Sequence, residues 1–229
     1  VLVETVRFRL LRGKDRAKDQ SYVLYMLDQE KLSRLLLPIG ELTKPEVRSI
    51  AASLGLRTAS KPESQDACFV GPKGVRRFIS ERAPRSKPLA LVDTRGNELG
   101  VTTEGAVTVG QRRGLRISAG SRRYVKEILP TEGLAILAPR EELYKKALVV
   151  TEFSWIAGRP PQSAVPAEVQ IRYNSAPAPA TLFVTGENEV RVEFADPVWA
   201  PAPGQIAVAY HGEEVLGGGV ISATDPHRP

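Results

Sequence analysis

Cys68 is the only cysteine in the 229 residues, and it sits inside Ser64-Gln65-Asp66-Ala67-Cys68-Phe69-Val70-Gly71. A single thiol cannot close an internal disulfide, and alone it cannot build a metal site of the usual multi-thiolate kind. Two roles remain. Free cysteine is often a small buried hydrophobe; alternatively, a thiol is kept for its reactivity. Polar, turn-prone residues precede Cys68, an apolar pair and Gly71 follow it, and basic residues come soon after. That neighbourhood suits a partly accessible thiol on a loop or strand end, where positive charge stabilises the thiolate.

Two further segments carry groups suited to nucleic acid. In Gly110-Gln111-Arg112-Arg113-Gly114-Leu115, adjacent arginines stand between glycines. They can offer guanidinium groups to phosphates while letting an RNA backbone come close, although a charged surface turn has the same composition. Lys18-Asp19-Gln20-Ser21-Tyr22 combines a cation, a carboxylate, an amide and a phenol at a turn-to-helix junction. These groups can read base edges and stack on bases; Asp19 can equally serve as a plain helix cap. The run Gly217-Gly218-Gly219 lies inside a strand pattern. With no helix start after it, it reads as a close backbone approach or a barrel bend rather than a phosphate cradle. His211 and His227 have no partner by sequence, and no P-loop, dinucleotide fingerprint or His-Glu metal motif occurs. No metal is expected.

The elements that must position these residues are partly legible. Residues 1–11 alternate apolar and polar, which predicts a strand. Residues 21–26 and 28–37 carry helical spacing, stopped by Pro38. Thr43 with Glu46 forms a capping box ahead of a helix whose apolar face is Val47, Ile50, Ala51 and Leu54, with Gly55 as its stop. A short helix is expected over 75–81 and a single helical turn over 141–145. Short strands are expected over 89–93, 106–109, 124–129 and 134–137. From about Ala147 the chain is almost wholly β-like, with runs at 167–173, 180–184, 189–194, 205–210 and 215–221, which predicts a small closed barrel. The fold class is α+β.

Composition is that of an ordinary globular chain, 42% hydrophobic and 25% charged. No apolar run is long enough for a membrane helix, and no signal peptide opens the chain. With the lone cysteine, this favours a reducing cytoplasm. The chain opens on Val1, directly into strand-like residues, so a preceding segment is expected. Net charge is +6, unevenly spread: residues 1–89 hold 18 Lys and Arg against 10 Asp and Glu. Arg112, Arg113, Arg116, Arg122, Arg123 and Lys126 form a run with no acidic residue. Such asymmetry suits a polyanionic partner, nucleic acid first, or a basic face kept for solubility.

Taken in order, these segments resemble the bacterial tRNA-specific 2-thiouridylases. The motifs are Lys18-Asp19-Gln20-Ser21-Tyr22, Pro38-Ile39-Gly40-Glu41-Leu42 with Lys44-Pro45-Glu46-Val47-Arg48, the Cys68 segment, Thr108 to Leu115, and Pro203 to Val208 with Leu216 to Gly219. The resemblance runs from about residue 7 to residue 221. It implies an enzyme that uses ATP to adenylate the 2-oxygen of a wobble uridine and replaces it with sulfur. Cys68 then matches the persulfide-carrying cysteine, loaded by a cysteine desulfurase or a sulfur-relay protein. Lys18, Asp19 and Gln20 match one stretch that contacts the tRNA anticodon stem-loop, Arg172 and Tyr173 another, and Gln205 a further contact. The Gly110 motif with Arg112 and Arg113 adds basic groups.

The resemblance also implies the architecture. Residues 1–70 would be the tail of a PP-loop-type nucleotide-binding α/β domain, 71–146 a central mixed α/β domain that binds tRNA, and 147–229 the barrel. The ATP-binding loop and a second catalytic cysteine would lie upstream, so the chain looks like the C-terminal two-thirds of such an enzyme, incomplete alone. The family's histidine-glycine segment before Gly110 is replaced by Thr102-Thr103-Glu104-Gly105. Two other readings are consistent with the residues: a non-catalytic RNA-binding module with a translation-factor-like barrel, and a persulfide carrier or redox sensor that does not engage RNA.

Overall fold

The computed structural model describes residues 7–62, 88–102, 107–115, 117, 121–173 and 175–224. Cys68, the expected helix over 75–81, Arg116 and His227 lie outside these. The chain forms two compact units, one of residues 1–61 with 145–229, the other of residues 62–144.

The first unit is built on six strands: β5 (Tyr144–Trp155), β6 (Val165–Gln170), β7 (Ala178–Gly186), β8 (Glu189–Trp199), β9 (Ile206–His211) and β10 (Glu214–Thr224). They close into a barrel in the order β10-β5-β8-β7-β6-β9. Closure leaves no free sheet edge. Inward-facing residues fill the interior, among them Leu148, Val150, Val169, Leu182, Val192, Phe194 and Ile221. The triple glycine lies on β10 where backbones crowd. A Cβ on Gly217 or Gly219 would run into the carbonyl oxygens of Ser154 or Thr151 on β5. One on Gly218 would stand 2.7 Å from the Ala207 carbonyl oxygen and 2.9 Å from the Tyr25 ring. The run is a close-approach device, as the strand pattern predicts.

Residues 7–61 of this unit pack on the outside of β9 and β10 through a second cluster: Leu10, Tyr22, Leu32, Ile156, Val208, Tyr210 and Val215. The strand expected over 1–11 does not form over residues 7–10, and Leu11 makes only an isolated bridge to Glu214. Side chains explain this. Gln29 occupies both backbone groups of Phe8, accepting from its N–H and donating to its carbonyl at 2.8 Å each. The same amide nitrogen donates to the Ile156 carbonyl at 2.6 Å.

The helical spacing over 21–37 gives only a 3₁₀ turn, Ser21–Leu24, and a short α1, Gln29–Ser33, capped by Asp28. Leu37 precedes Pro38, which disfavours helical backbone there, and Leu36 and Leu37 are exposed. α2 (Lys44–Ser53) forms as expected. Glu46 accepts from the Thr43 N–H at 2.6 Å and from the Thr43 hydroxyl at 2.7 Å, and Gly55 follows at φ 66°. Its predicted apolar face is not buried among the described residues: Ile50 and Leu54 are exposed.

The second unit carries a four-stranded sheet, β1 (Leu89–Asp93), β2 (Glu98–Thr102), β3 (Tyr124–Leu129) and β4 (Leu134–Ala138), in the order β2-β1-β4-β3. β1 and β4 run parallel; the other pairs are antiparallel. Leu91, Leu115, Val125, Ala135 and Leu137 form its core. The β1–β2 turn is organised by Asp93, whose carboxylate accepts from the N–H groups of Arg95 and Asn97 and from the Asn97 side chain. The strand expected at 106–109 is not one: Val107 and Thr108 are irregular and Val109-Gly110 turns, with Gly110 at φ 85°. The helical turn expected at 141–145 is a 3₁₀ turn at Arg140–Leu143. Among the described residues no helix is long and apolar enough to cross a membrane.

Candidate nucleic-acid interface

In the first unit, the charged turn before the 3₁₀ turn is held by its own carboxylates. Asp15 accepts from the Ala17 N–H at 3.2 Å and from the Lys44 N–H at 2.9 Å. The second bond occupies one of the N–H groups that the first turn of a helix leaves without an intrahelical partner. The Lys14 N–H donates to the Gly40 carbonyl at 2.9 Å, and its ammonium pairs with Glu46 at 3.3 Å. So the segment Pro38 to Arg48 serves as the seat of the Lys18 turn.

Asp19 is spent on this scaffold. One carboxylate oxygen accepts from the N–H groups of Gly13 (3.0 Å) and Ser21 (2.9 Å), and the other from the Ser21 hydroxyl (2.7 Å). Lys18 is exposed beside it. Gln20 is also exposed, and its amide donates to the Tyr173 hydroxyl at 3.1 Å. Tyr22 is not available for stacking as its place in the motif predicts. It is only 7% exposed, donates to the Ile206 carbonyl at 2.7 Å, and its ring lies 5.8 Å from that of Tyr173. Burial, reinforced by Tyr210 and Tyr25, pushes the Tyr22 phenol up to about 12.

Arg172 and Tyr173 follow β6. The Arg172 carbonyl accepts from the side chains of Gln170 (3.0 Å) and Ser175 (2.9 Å) and from the Ser175 N–H (3.1 Å). Its guanidinium donates to the carbonyl of Ala200, a residue at φ 49°, and lies 5.7 Å from the Trp199 ring. Burial draws the Arg172 pKa down. Arg172 thus braces the loop, and Tyr173, 47% exposed, is the residue it presents. Gln205 is exposed in the turn Ala202-Pro203-Gly204-Gln205, with Gly204 at φ 82°. It immediately precedes Ile206, whose carbonyl receives Tyr22.

Between the Asp19 turn and Tyr173 lies a cleft of about 460 Å³. Arg12 and Arg16 line it, and neither belongs to the motifs that the sequence singles out. The Arg12 guanidinium lies 3.7 Å over the Tyr210 ring and 3.6 Å from Glu168. Arg16 pairs with Glu213. An arginine one residue ahead of a glycine was the only sequence signal for the first.

In the second unit, Arg112 and Arg113 are exposed on a loop that Gln111 organises. The Gln111 side chain accepts from the Thr108 N–H at 3.0 Å and donates to the Arg113 carbonyl at 3.1 Å. The loop is fastened to β3 by two backbone bonds between Gly110, Gln111 and Val125. Lys126 is spent on Glu142 at 2.8 Å. Lys18, Asp19, Gln20, Arg172, Tyr173 and Gln205 therefore share one unit, and Arg112 and Arg113 belong to the other. Among the described residues, no three His, Cys, Asp or Glu side chains group as metal ligands.

Residues 2–72 match the family model described as tRNA methyl transferase HUP domain, and residues 145–221 the one described as aminomethyltransferase beta-barrel domain. The chain is 42% identical over 223 residues to the tRNA-specific 2-thiouridylase MnmA of a Synechococcus species, covering 97% of this chain and 62% of that protein. It is a homologue of the tRNA-specific 2-thiouridylases. The thiouridylase of Nostoc punctiforme is 42% identical, over 95% of this chain and 62% of its own length. That of Carboxydothermus hydrogenoformans is 41% identical, over 94% and 60%. The chain thus spans about three-fifths of the length of these thiouridylases.

Proposed function

We propose that this chain is the sulfur-delivering and tRNA-holding portion of an ATP-dependent tRNA sulfurtransferase that thiolates the wobble uridine at its 2-position. The observation that carries the reading is the match to thiouridylases over nearly the whole chain. In this reading residues 1–70 close the nucleotide-binding domain, 71–146 form a central tRNA-binding domain and 147–229 the barrel. It is supported by the meeting of Gln20 and Tyr173, drawn from the two stretches that the resemblance assigns to tRNA.

The chemistry needs three things. A uracil carbonyl is a poor electrophile until its oxygen can leave, and ATP, bound by residues outside this chain, supplies that activation. Cys68 carries the nucleophile as a persulfide, whose terminal sulfur, once deprotonated, attacks the activated carbon and expels the adenylated oxygen as AMP. The second cysteine that the resemblance implies upstream then attacks Cys68 Sγ, breaking the S–S bond. The outer sulfur stays on the base, and the two cysteines are left as a disulfide. A sulfur donor such as a cysteine desulfurase or relay protein loads it. An anticodon loop is single-stranded RNA, so phosphate neutralisation by Lys18, Arg112 and Arg113 combines with stacking on Tyr173 and polar contacts near Gln205. Such an enzyme works in the cytoplasm.

The test is Cys68→Ser in the complete enzyme, with 2-thiouridine in tRNA measured by mass spectrometry and tRNA affinity measured alongside. Loss of thiouridine with affinity nearly unchanged is expected. Normal thiouridine in that variant would sink the reading.

A further inference from the structure

The stretch matched to the HUP domain and the stretch matched to the barrel are fastened together at the tip of one hairpin. β9 turns into β10 through Gly212-Glu213, with His211 opposite Glu214. The start of β10 then takes a second neighbour. The Glu213 carbonyl accepts from the Arg12 N–H at 2.8 Å, the Val215 N–H donates to the Leu10 carbonyl at 2.9 Å, and Leu11 bridges Glu214 in the antiparallel sense. Side chains repeat the link. One oxygen of the Glu214 carboxylate accepts from Arg7 Nη2 at 2.9 Å and the other from Arg9 Nε at 2.8 Å. Arg16 pairs with the adjacent Glu213. Leu10 and Val215 are buried in the same cluster as Tyr210 and Ile156. An isolated surface ion pair contributes little. Here a carboxylate only 15% exposed holds two guanidinium groups over a stretch that backbone bonds and a buried leucine already fix.

We infer that Glu214 is a positioning residue for sulfur transfer. The clasp it forms with Arg7 and Arg9 ties the end of the nucleotide-binding domain to the barrel, so that tRNA held by the barrel meets the sulfur-carrying part in register. The inference rests on the reading of this chain as part of a tRNA sulfurtransferase. That reading assigns binding and chemistry to different stretches: Tyr173 and Gln205 to the barrel, Cys68 and the ATP site to the nucleotide-binding domain. Holding two such parts in fixed relation turns binding into productive approach, and a misplacement of about 1 Å can cost on the order of 100-fold in rate. The cleft beside Tyr173 is lined by residues other than Arg7, Arg9 and Glu214. The clasp therefore acts on the rate at saturating tRNA, not on affinity.

The experiment uses the complete enzyme with ATP, loaded with persulfide by a cysteine desulfurase, and follows a single turnover across tRNA concentrations with 2-thiouridine read by mass spectrometry. Glu214→Arg should lower the rate at saturating tRNA by on the order of 10- to 100-fold and leave the half-saturating tRNA concentration nearly unchanged. Adding Arg9→Glu exchanges charges across the clasp, keeps the net charge of the unaltered protein, and should restore most of the rate. Glu214→Gln keeps the shape of the side chain and should show a smaller loss in the same sense; it supplies the readout if Glu214→Arg does not fold. An unchanged saturating rate in the Glu214 variants would overturn the inference and leave the sulfurtransferase reading standing. A loss confined to the half-saturating concentration, or one that Arg9→Glu does not relieve, would overturn it as well. Absence of thiouridine with the unaltered enzyme would sink both.

Discussion

The Gln20 amide reaches the Tyr173 hydroxyl at 3.1 Å, joining residues 153 apart in the chain. One belongs to the turn seated on α2, the other to the loop after β6. Both groups face solvent, so the bond adds little to stability. Its effect is to anchor an exposed ring at its hydroxyl end. Gln20→Ala should therefore leave unfolding within the roughly 0.5 kcal/mol of an ordinary surface substitution, while RNA affinity falls a few-fold. Tyr173→Phe should match it, and the double variant should add nothing further. A double-mutant cycle on RNA binding checks this; additive losses would show the two residues act apart.

The barrel was readable because period-2 runs separated by Pro, Gly and Asn need no distant information. The Thr43–Glu46 box was readable for the same local reason. What stayed hidden depends on partners far along the chain. Nothing near Phe8 announces that Gln29 will occupy its backbone groups, and so the strand expected there is only a single bridge. The Lys18-Asp19-Gln20 stretch was visible as a motif, but its division of labour was not. Asp19 bonds to Gly13 and Ser21, whereas Gln20 reaches the loop after β6. Arg12 became a site residue only when Tyr210 was brought beneath it.

The triple glycine sets a packing limit. A methyl group on Gly218 would meet the Ala207 carbonyl oxygen at 2.7 Å and the Tyr25 ring at 2.9 Å. Neither a backbone oxygen in a ladder nor a ring packed on the second core cluster yields cheaply. Gly218→Ala should cost about 1–3 kcal/mol, the usual range for overpacking. Chemical denaturation measures it directly, and a cost near zero would show that β10 has slack against β9.

Two groups give stability opposite pH limits. Tyr22 has its phenol raised from 10.0 to about 12, chiefly by burial. Its contribution is full below pH 10 and is lost as pH rises through about 12, because only the neutral phenol can donate to Ile206. Glu46 is lowered from 4.5 to about 2, mainly by the Thr43 N–H and hydroxyl. Its contribution is present above pH 4.5 and is lost as pH falls through about 2. Tyr22→Phe should cost about 1 kcal/mol at neutral pH through the lost hydrogen bond and flatten the alkaline limb. Glu46→Gln should flatten the acid limb. Denaturation midpoints across pH read both, and an unchanged alkaline limb in Tyr22→Phe would exclude the phenol as its source.

Arg112 and Arg113 offer a test that separates phosphate binding from folding. Both are exposed on a loop whose shape depends on Gln111, Gly110 and Gly114 rather than on the guanidinium groups. Reversing their charge should leave the second unit folded. If each neutralises a phosphate in the complex, each phosphate left without its arginine should reduce the slope of log affinity against log salt by about 0.7–0.9. Arg112→Glu with Arg113→Glu should therefore weaken tRNA binding most at low salt, by a similar factor for different tRNA sequences. Anisotropy titrations from low to moderate salt measure the slope. An unchanged slope would mean that these arginines are a solvated face of the sheet and that the tRNA backbone lies elsewhere.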